Sequence, residues 1–160
     1  MGKQVAGYAK PRLNETATRA RAGLLNILSA TTLVLLIYEP QLDPVIYIAP
    51  FALFDMLAAA ATGLTPLSPV GLLGTAITMR SRPLWVATRP KRFAWLIGAL
   101  FAVICLSLRL VGAPTVALLA VVGICFVLTW LEAVLGFCAG CWMHRLFWGC
   151  DDCDRSYVPE

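Results

Sequence analysis

The stretch TVALLAVVGICFVLTWLEAVLGF, residues Thr115 to Phe137, has Glu132 as its only charged side chain. An apolar run of about 20 residues is long enough to cross the roughly 30 Å hydrocarbon core of a bilayer as a helix. Three further runs of this kind occupy residues 22–38, 45–64 and 93–111. The whole 160-residue chain is 59% hydrophobic and only 14% charged, with a mean hydropathy of +0.77, which is typical of membrane proteins. We therefore predict an all-α integral membrane protein built as a bundle of four transmembrane helices.

Lys and Arg residues concentrate on one side of the predicted bundle, and such flanks are retained in the cytoplasm. The residues on this side are Lys3, Lys10, Arg12, Arg19, Arg21, Arg80, Arg82, Arg89, Lys91, Arg92, Arg145 and Arg155. Arg109 alone falls on the other side. Both termini are thus predicted to be cytoplasmic. The net charge of +4 follows from this topology and indicates no nucleic-acid partner.

The chain divides into a basic cytoplasmic leader (1–21), a four-helix membrane domain (22–137) and a cytoplasmic cysteine-rich tail (138–160). Within the leader, the sequence from Asn14 to Thr16 is a candidate helix start.

The inner loop at residues 65–92 is apolar but interrupted by proline and glycine. Ser68 followed by Pro69 is typical of a helix cap and first helical residue, so a short helix is predicted up to about Met79. We expect this helix to lie in the membrane interface, with a re-entrant loop as the alternative.

The tail contains two C-x-x-C pairs within a few turns of chain: Cys138, Cys141, Cys150 and Cys153. Two such pairs can form the tetrahedral thiolate site that zinc or a single iron requires. The four cysteines are therefore predicted to bind zinc or iron as a cofactor. His144, the only histidine, could replace one of them as a ligand.

A redox or sulfur-transferring dithiol is the alternative, with Cys138 and Cys141 as the working pair. These two residues are expected at the C-terminus of the fourth helix, whose dipole disfavours a thiolate. A structural disulfide is also disfavoured, because the predicted compartment is reducing. Cys105 and Cys125 lie within predicted helices and are expected to pack in the core.

Asp55 and Glu132 are carboxylates within predicted spans, where ionisable groups are costly and face the bundle interior. Counting residues along each helix places Asn26 level with Glu132. By the same count, Asp55 shares a layer with Ser29, Thr31 and Thr32. No cationic or histidine partner is evident for either carboxylate. Interhelical hydrogen bonds are therefore favoured over a proton relay.

The motifs LSPVG, RPKRFAWLIGALFA and LEAVLGFCAGC, followed by a second C-x-x-C, resemble a bacterial membrane family catalogued as domain of unknown function 4395. The resemblance runs from about Leu24 to Cys153 and implies a compact four-helix protein of the bacterial inner membrane. It implies no particular activity. An association of such proteins with thioredoxin-like and sulfurtransferase proteins would support thiol or sulfur chemistry.

Three functions remain open from the sequence. The first is a membrane docking or accessory protein with a metal-bound cytoplasmic tail. The second is thiol redox or sulfur transfer with a soluble thioredoxin-like or rhodanese-like partner. The third is an accessory subunit of a larger respiratory or photosynthetic complex. Nucleotide-binding, hydrolase and metalloprotease motifs are absent, and a single histidine offers little acid–base chemistry, so a non-enzymatic role is favoured.

Overall fold

The computed structural model describes residues 11–149, so the predicted ligands Cys150 and Cys153 lie outside the described residues. Its four long helices are each apolar enough to cross a membrane. They are α1 (Glu15–Tyr38), α2 (Pro44–Thr62), α4 (Thr88–Leu110) and α5 (Thr115–Trp130), the last extended by a π-helical turn at Leu131–Leu135. The shorter helices are α3 (Pro69–Ile77) and α6 (Ala139–Trp148). The predicted all-α membrane bundle is confirmed.

The four long helices form a ring in which α1 contacts α2, α2 contacts α4, α4 contacts α5 and α5 contacts α1. We call the end where α1 and α4 begin and α2 and α5 finish the basal end. There, a buried apolar cluster surrounds Trp95 and Ala59. A second cluster, around Val45 and Leu118, lies towards the opposite end. The interior is therefore apolar along most of its length.

Large apolar side chains also cover the outside of the ring. Ile27 of α1, Phe54 of α2, Leu100 of α4 and Val127 of α5 are all more than half exposed. A soluble protein of this size would not leave so much apolar surface in contact with water, whereas a bilayer solvates it without cost.

Two helices begin before the apolar runs that predicted them. α1 starts at Glu15, where the Asn14 side chain accepts hydrogen bonds from the backbone nitrogens of Thr16 and Ala17 at 3.0 and 3.5 Å. α4 starts at Thr88 rather than at residue 93. An apolar run marks the part of a helix that meets hydrocarbon, whereas the helix itself extends into its charged flanks.

The fourth predicted span also ends earlier than expected, before Phe137. Gly136 has a φ of 65°, in the left-handed region that glycine favours and that commonly ends a helix. The Gly136 nitrogen donates to the Leu131 carbonyl oxygen and closes the π-helical turn, and the Phe137 nitrogen donates to the same oxygen at 3.1 Å. The chain then changes direction, so α6 is a separate helix and not the last turns of the fourth span.

A short antiparallel ribbon, which the sequence did not predict, joins the leader to the inner loop. Strand β1 (Arg12–Asn14) pairs with β2 (Trp85–Ala87) in the register Leu13 opposite Val86. The Glu15 nitrogen continues the connection by donating to the Leu84 carbonyl oxygen at 2.7 Å. The ribbon therefore fixes the start of α1 beside the start of α4.

Helix α3 forms as predicted, with the Ser68 hydroxyl accepting from the Gly71 nitrogen at 2.9 Å and Pro69 in the first turn. The N-cap residue of α3 is held inside the protein. Ser68 is fully buried and donates to Asp55 Oδ1 at 2.7 Å, although Asp55 lies about 10 Å before the end of α2. The chain after α2 thus folds back until Ser68 lies level with Asp55, and the position of α3 in the membrane interface stays a prediction.

Candidate functional site

Cys138 and Cys141 lie at the N-terminus of α6, not at the C-terminus of the preceding helix as the sequence analysis expected. Cys138 is the N-cap residue, and its Sγ accepts a hydrogen bond from the Cys141 nitrogen at 3.2 Å. The two sulfur atoms form a disulfide, with the Cα atoms 5.2 Å apart. The sequence analysis disfavoured a structural disulfide in the tail, whereas the structure pairs these two cysteines.

The position of the two cysteines at a helix N-terminus, instead of a C-terminus, changes the electrostatics of the pair. A helix N-terminus carries unsatisfied N–H groups and a partial positive charge, both of which stabilise a thiolate. Gly136 is the cause of the reversal, because it ends one helix two residues before Cys138 and lets another begin at Ala139. The electrostatic argument against a reactive dithiol at these positions no longer holds.

A cavity of about 210 Å³ lies beside the disulfide at the basal end, and we call it the basal cavity. Its lining includes both cysteines, Lys91, Trp142 and Arg145. Trp142 and Arg145 are exposed on α6, so the cavity borders the surface of the protein. The disulfide is partly buried and borders this cavity.

A second cavity of about 160 Å³, the inner cavity, lies within the ring of four long helices. Most of its surface is apolar, but Arg21, Glu132 and Cys138 line its basal end. Among the described residues, Cys138 is the one that lines both the basal and the inner cavity. The disulfide therefore separates a surface-facing space from an apolar space inside the bundle.

Asp55 is fully buried and has a cationic partner that the sequence analysis did not find. Arg21 Nη2 donates to Asp55 Oδ2 at 2.5 Å, while Ser68 Oγ and the Val70 nitrogen donate to Oδ1 at 2.7 and 2.9 Å. The predicted layer with Ser29, Thr31 and Thr32 is wrong. Asp55 instead ties α1, α2 and the start of α3 together.

Arg21 was missed as the partner of Asp55 because the sequence analysis placed the start of the first helix too late in the chain. Placing the first helix at residue 22 left Arg21 in the leader, whereas α1 begins at Glu15. Arg21 is then about 9 Å into α1, close to the 10 Å depth of Asp55 counted from the end of α2. The cap at Asn14 was the signal that would have placed Arg21 opposite Asp55.

Glu132 is paired as well, with Lys91 of α4. Lys91 Nζ lies 2.7 Å from Glu132 Oε1 and 2.9 Å from Glu15 Oε2. Asn26 does not join this group, because its Nδ2 donates to the Phe126 carbonyl oxygen at 2.7 Å. The structure thus brings α1, α4 and the π-helical turn together through one buried lysine.

His144 lies on α6 with its ring against Phe93 and Trp148, at centroid distances of 5.6 and 5.5 Å. Its Nδ1 has no hydrogen-bond partner among residues 11–149. Within that range, no group of three or more His, Cys, Asp or Glu residues is arranged to hold a metal ion. The four-cysteine metal site therefore remains a prediction, with two of its residues outside the described range.

Cys105 and Cys125 are free thiols, buried and partly buried respectively. Both line the inner cavity rather than the basal one. They are separate from the disulfide and belong to the walls of the bundle.

Fold and site together define a class: multi-pass membrane proteins with a C-x-x-C disulfide at the basal end of a four-helix bundle. The family model described as domain of unknown function (DUF4395) matches residues 13–148, and the chain belongs to this family. This agrees with the resemblance seen in its motifs. Neither the curated proteins nor the solved structures contain a match.

Proposed function

We propose that this protein catalyses thiol–disulfide exchange at the membrane, with Cys138 and Cys141 as the reacting pair. The observation that carries the proposal is the position of the C-x-x-C disulfide at the start of α6 beside a surface-bordering cavity. A helix N-terminus is where the thiolate form of a cysteine is favoured, and the thiolate is the reactive species in exchange.

Exchange begins when a thiolate of a partner protein attacks Cys141 Sγ. A bond forms between the partner and Cys141, the Cys138–Cys141 bond breaks, and Cys138 leaves as a thiolate. The second partner thiol then attacks its own mixed disulfide and releases Cys141. The partner loses two electrons and two protons as its disulfide forms, and the two cysteines gain both.

The two cysteines differ in what surrounds them, which assigns their roles. Cys141 lines the basal cavity only, so it is the sulfur that a partner reaches. Cys138 is the N-cap and receives the Cys141 N–H, so it is the better leaving thiolate.

The partner we propose is a soluble dithiol protein of the thioredoxin-like kind. The basal cavity has one buried cation, Lys91, and an exposed Arg145 on its rim, beside the exposed apolar ring of Trp142. Arginine and tryptophan are among the residues enriched in protein interfaces. A rhodanese-like sulfur carrier would use the same cysteines through a persulfide.

We further propose that the basal end faces the cytoplasm of a bacterial inner membrane. The distribution of Lys and Arg supports this orientation, because all of them except Arg109 flank that side. Cytosolic disulfides are usually transient and catalytic rather than structural. A disulfide at a cytoplasmic basal end is therefore expected to be reduced and re-formed during a catalytic cycle.

The test uses the purified full chain in detergent, oxidised and mixed with reduced thioredoxin. Alkylation followed by mass measurement is expected to show two new thiols per chain, at Cys138 and Cys141, with loss of the thioredoxin dithiol. A single-cysteine thioredoxin should be captured on Cys141. Cys105→Ser, a change to a free thiol of the bundle wall, is the matched control and should react like the unchanged protein.

Two results would overturn the proposal. One is a Cys138–Cys141 pair that stays oxidised with excess reduced thioredoxin. The other is an anaerobically purified protein that holds about one zinc or iron per chain on protected tail thiols and does not exchange. In that case Cys138→Ser should release the metal, and the predicted metal-bound accessory protein would be the correct description.

A further inference from the structure

Helix α6 contacts the bundle at a level that the sequence marks as the edge of the membrane. The Phe93 ring of α4 lies 5.6 Å from the His144 ring and 5.4 Å from the Trp148 ring, both on α6. Phe93 is the first residue of the apolar run 93–111 and follows a basic stretch at 89–92. It therefore marks where α4 passes from the headgroup region into hydrocarbon. Because α6 contacts α4 at this residue, it lies at the same level.

Helix α6 runs across α4 rather than along it. Near the start of α6, a Cβ added to Gly140 would lie 2.7 Å from Ala94, and at the end of α6 Trp148 contacts Phe93. The two contacts are eight positions apart on α6, about 12 Å of helix, yet they involve consecutive residues of α4. A helix parallel to α4 would spread them over two turns of α4 instead. Because α4 crosses the membrane, α6 runs close to the membrane plane.

Two sides of α6 belong to features already described. The side that packs on α4 has residues four positions apart: Gly140, His144 and Trp148. The side that lines the basal cavity has Cys141, Trp142 and Arg145. At 3.6 residues per turn, the centres of these two sides are about 110° apart around the helix axis. They leave a third side of α6 that points away from both.

The third side of α6 is apolar and exposed, and we call it the outer face. It consists of Met143, Leu146 and Phe147, whose spacing of three and four positions brings them onto one side of a helix. All three side chains are exposed, Leu146 and Phe147 to 64% and 68%. Water is a poor solvent for such a surface, so the outer face needs an apolar partner.

The outer face is continuous with the lipid-facing surface of the bundle. Leu96 and Leu100 follow Phe93 by three and seven positions, so they lie on the side of α4 that α6 crosses. Both are more than half exposed. Val134 and Leu135, in the π-helical turn shortly before α6, are also more than half exposed. The apolar surface that a bilayer covers on α4 and on this turn thus extends onto α6.

We propose that the outer face of α6 binds the lipid bilayer, with Met143, Leu146 and Phe147 among the acyl chains just below the headgroups. Helices that lie in the membrane plane bind lipid through an apolar side of this kind, with aromatic and basic residues beside it. With the outer face in lipid, the side that carries Cys141 and Trp142 faces water. The soluble partner then approaches Cys141 over the membrane surface, a step that rests on the proposed function.

The test replaces Phe147 or Trp142 of the full chain by the photoreactive amino acid benzoylphenylalanine. Trp142 is the matched control, because it is exposed on the same helix but lines the basal cavity. Each protein is embedded in nanodiscs of phosphatidylethanolamine and phosphatidylglycerol, irradiated, and analysed by mass. We expect several-fold more lipid adducts from the Phe147 position than from the Trp142 position. Leu146 and Arg145 form a second pair of positions, one on each side, if either replacement does not fold.

Equal yields of lipid adduct at the two positions would overturn the inference, since α6 would then have no side directed into the bilayer. Cross-links from the Phe147 position to a second copy of the chain, without lipid, would also overturn it.

A second measurement separates this inference from the proposed function. When a single-cysteine thioredoxin is captured on Cys141, it should cross-link to benzoylphenylalanine at the Trp142 position and not at the Phe147 position. A thioredoxin cross-link at the Phe147 position would overturn the lipid contact. Lipid adducts there, together with no capture of thioredoxin on Cys141, would support the lipid contact and remove the soluble partner.

Discussion

At the scale of single residues, the most consequential contact is the ion pair between Arg21 and Asp55. Both side chains are almost completely excluded from solvent, and Ser68 supplies a further hydrogen bond to the carboxylate. A buried pair of this kind contributes little when compared with a well-packed apolar pair, but removing one partner leaves a buried charge uncompensated. Its effect is therefore seen most clearly when it is broken.

Asp55→Asn is expected to destabilise the protein by about 3–5 kcal/mol, because the Arg21 guanidinium would remain buried without its counter-charge. Thermal unfolding in a mild detergent measures the effect. Asp43→Asn is the matched control, since the Arg109 side chain of the Arg109–Asp43 pair at the opposite end is 38% exposed. That substitution should cost less than about 1 kcal/mol. An equal loss of stability in the two variants would show that the burial of the Asp55 pair does not make its removal more costly.

This contact also shows which part of the site could not be predicted from the sequence. Asp55 could be recognised as a buried carboxylate from its surroundings, because only apolar residues flank it. Its partner is 34 residues away and is found only when α1 is extended back to Glu15. The side-chain pairing depended on helix bounds, which an apolar run leaves open by several residues.

At the scale of elements, the position of α6 decides the chemistry of the cysteines. Gly140 is its contact point with α4, because a Cβ added there would lie 2.7 Å from both Cα and Cβ of Ala94. Only glycine allows this approach without movement of the backbone. The helix N-terminus that holds Cys138 is thus positioned by a residue with no side chain.

Gly140→Ala is expected to push α6 away from α4 and to expose Cys138 and Cys141. Reduced protein should then react several-fold faster with a water-soluble maleimide at these positions, with a lower unfolding temperature. Gly123→Ala, in α5, is the matched control, since an added Cβ there meets nothing within 4 Å. Alanine favours a helix over glycine by about 1 kcal/mol, so the control should be neutral or slightly stabilised. Unchanged alkylation in Gly140→Ala would mean that α6 is held by other contacts.

The elements were predictable to different extents for physical reasons. The four spans follow from the apolar runs, and the starts of α1 and α3 follow from capping residues at Asn14 and Ser68. The stop at Gly136 was not predicted, because the apolar run continues through this glycine to Phe137. As a result, the cysteine pair was assigned to the wrong end of a helix, although both cysteines had been identified from the sequence.

At the scale of the whole molecule, the distribution of Lys and Arg predicts the orientation of the protein in the membrane. If the basal end faces the cytoplasm, Met79 after α3 is inside the cell and Tyr38 at the end of α1 is outside. Both side chains are more than three-quarters exposed, which makes them suitable positions for labelling.

Tyr38→Cys is therefore expected to react with a membrane-impermeant maleimide in intact spheroplasts, and Met79→Cys only after the membrane is opened. Labelling is read as the increase over the unchanged chain, which controls for the native cysteines. The reverse pattern would place the disulfide on the outer face and change the class of its soluble partner. The proposed exchange chemistry would then operate in an oxidising compartment.

The ribbon between β1 and β2 has a consequence for how the chain is inserted during synthesis. The two strands can pair only when residues 12–14 and 85–87 are on the same side of the bilayer. The long spans between them are α1 and α2, so an even number of crossings must be completed first. A nascent chain in which α1 fails to enter the membrane leaves the strands on opposite sides, unable to join. The ribbon therefore cannot close on a chain in which only one of α1 and α2 has crossed the membrane.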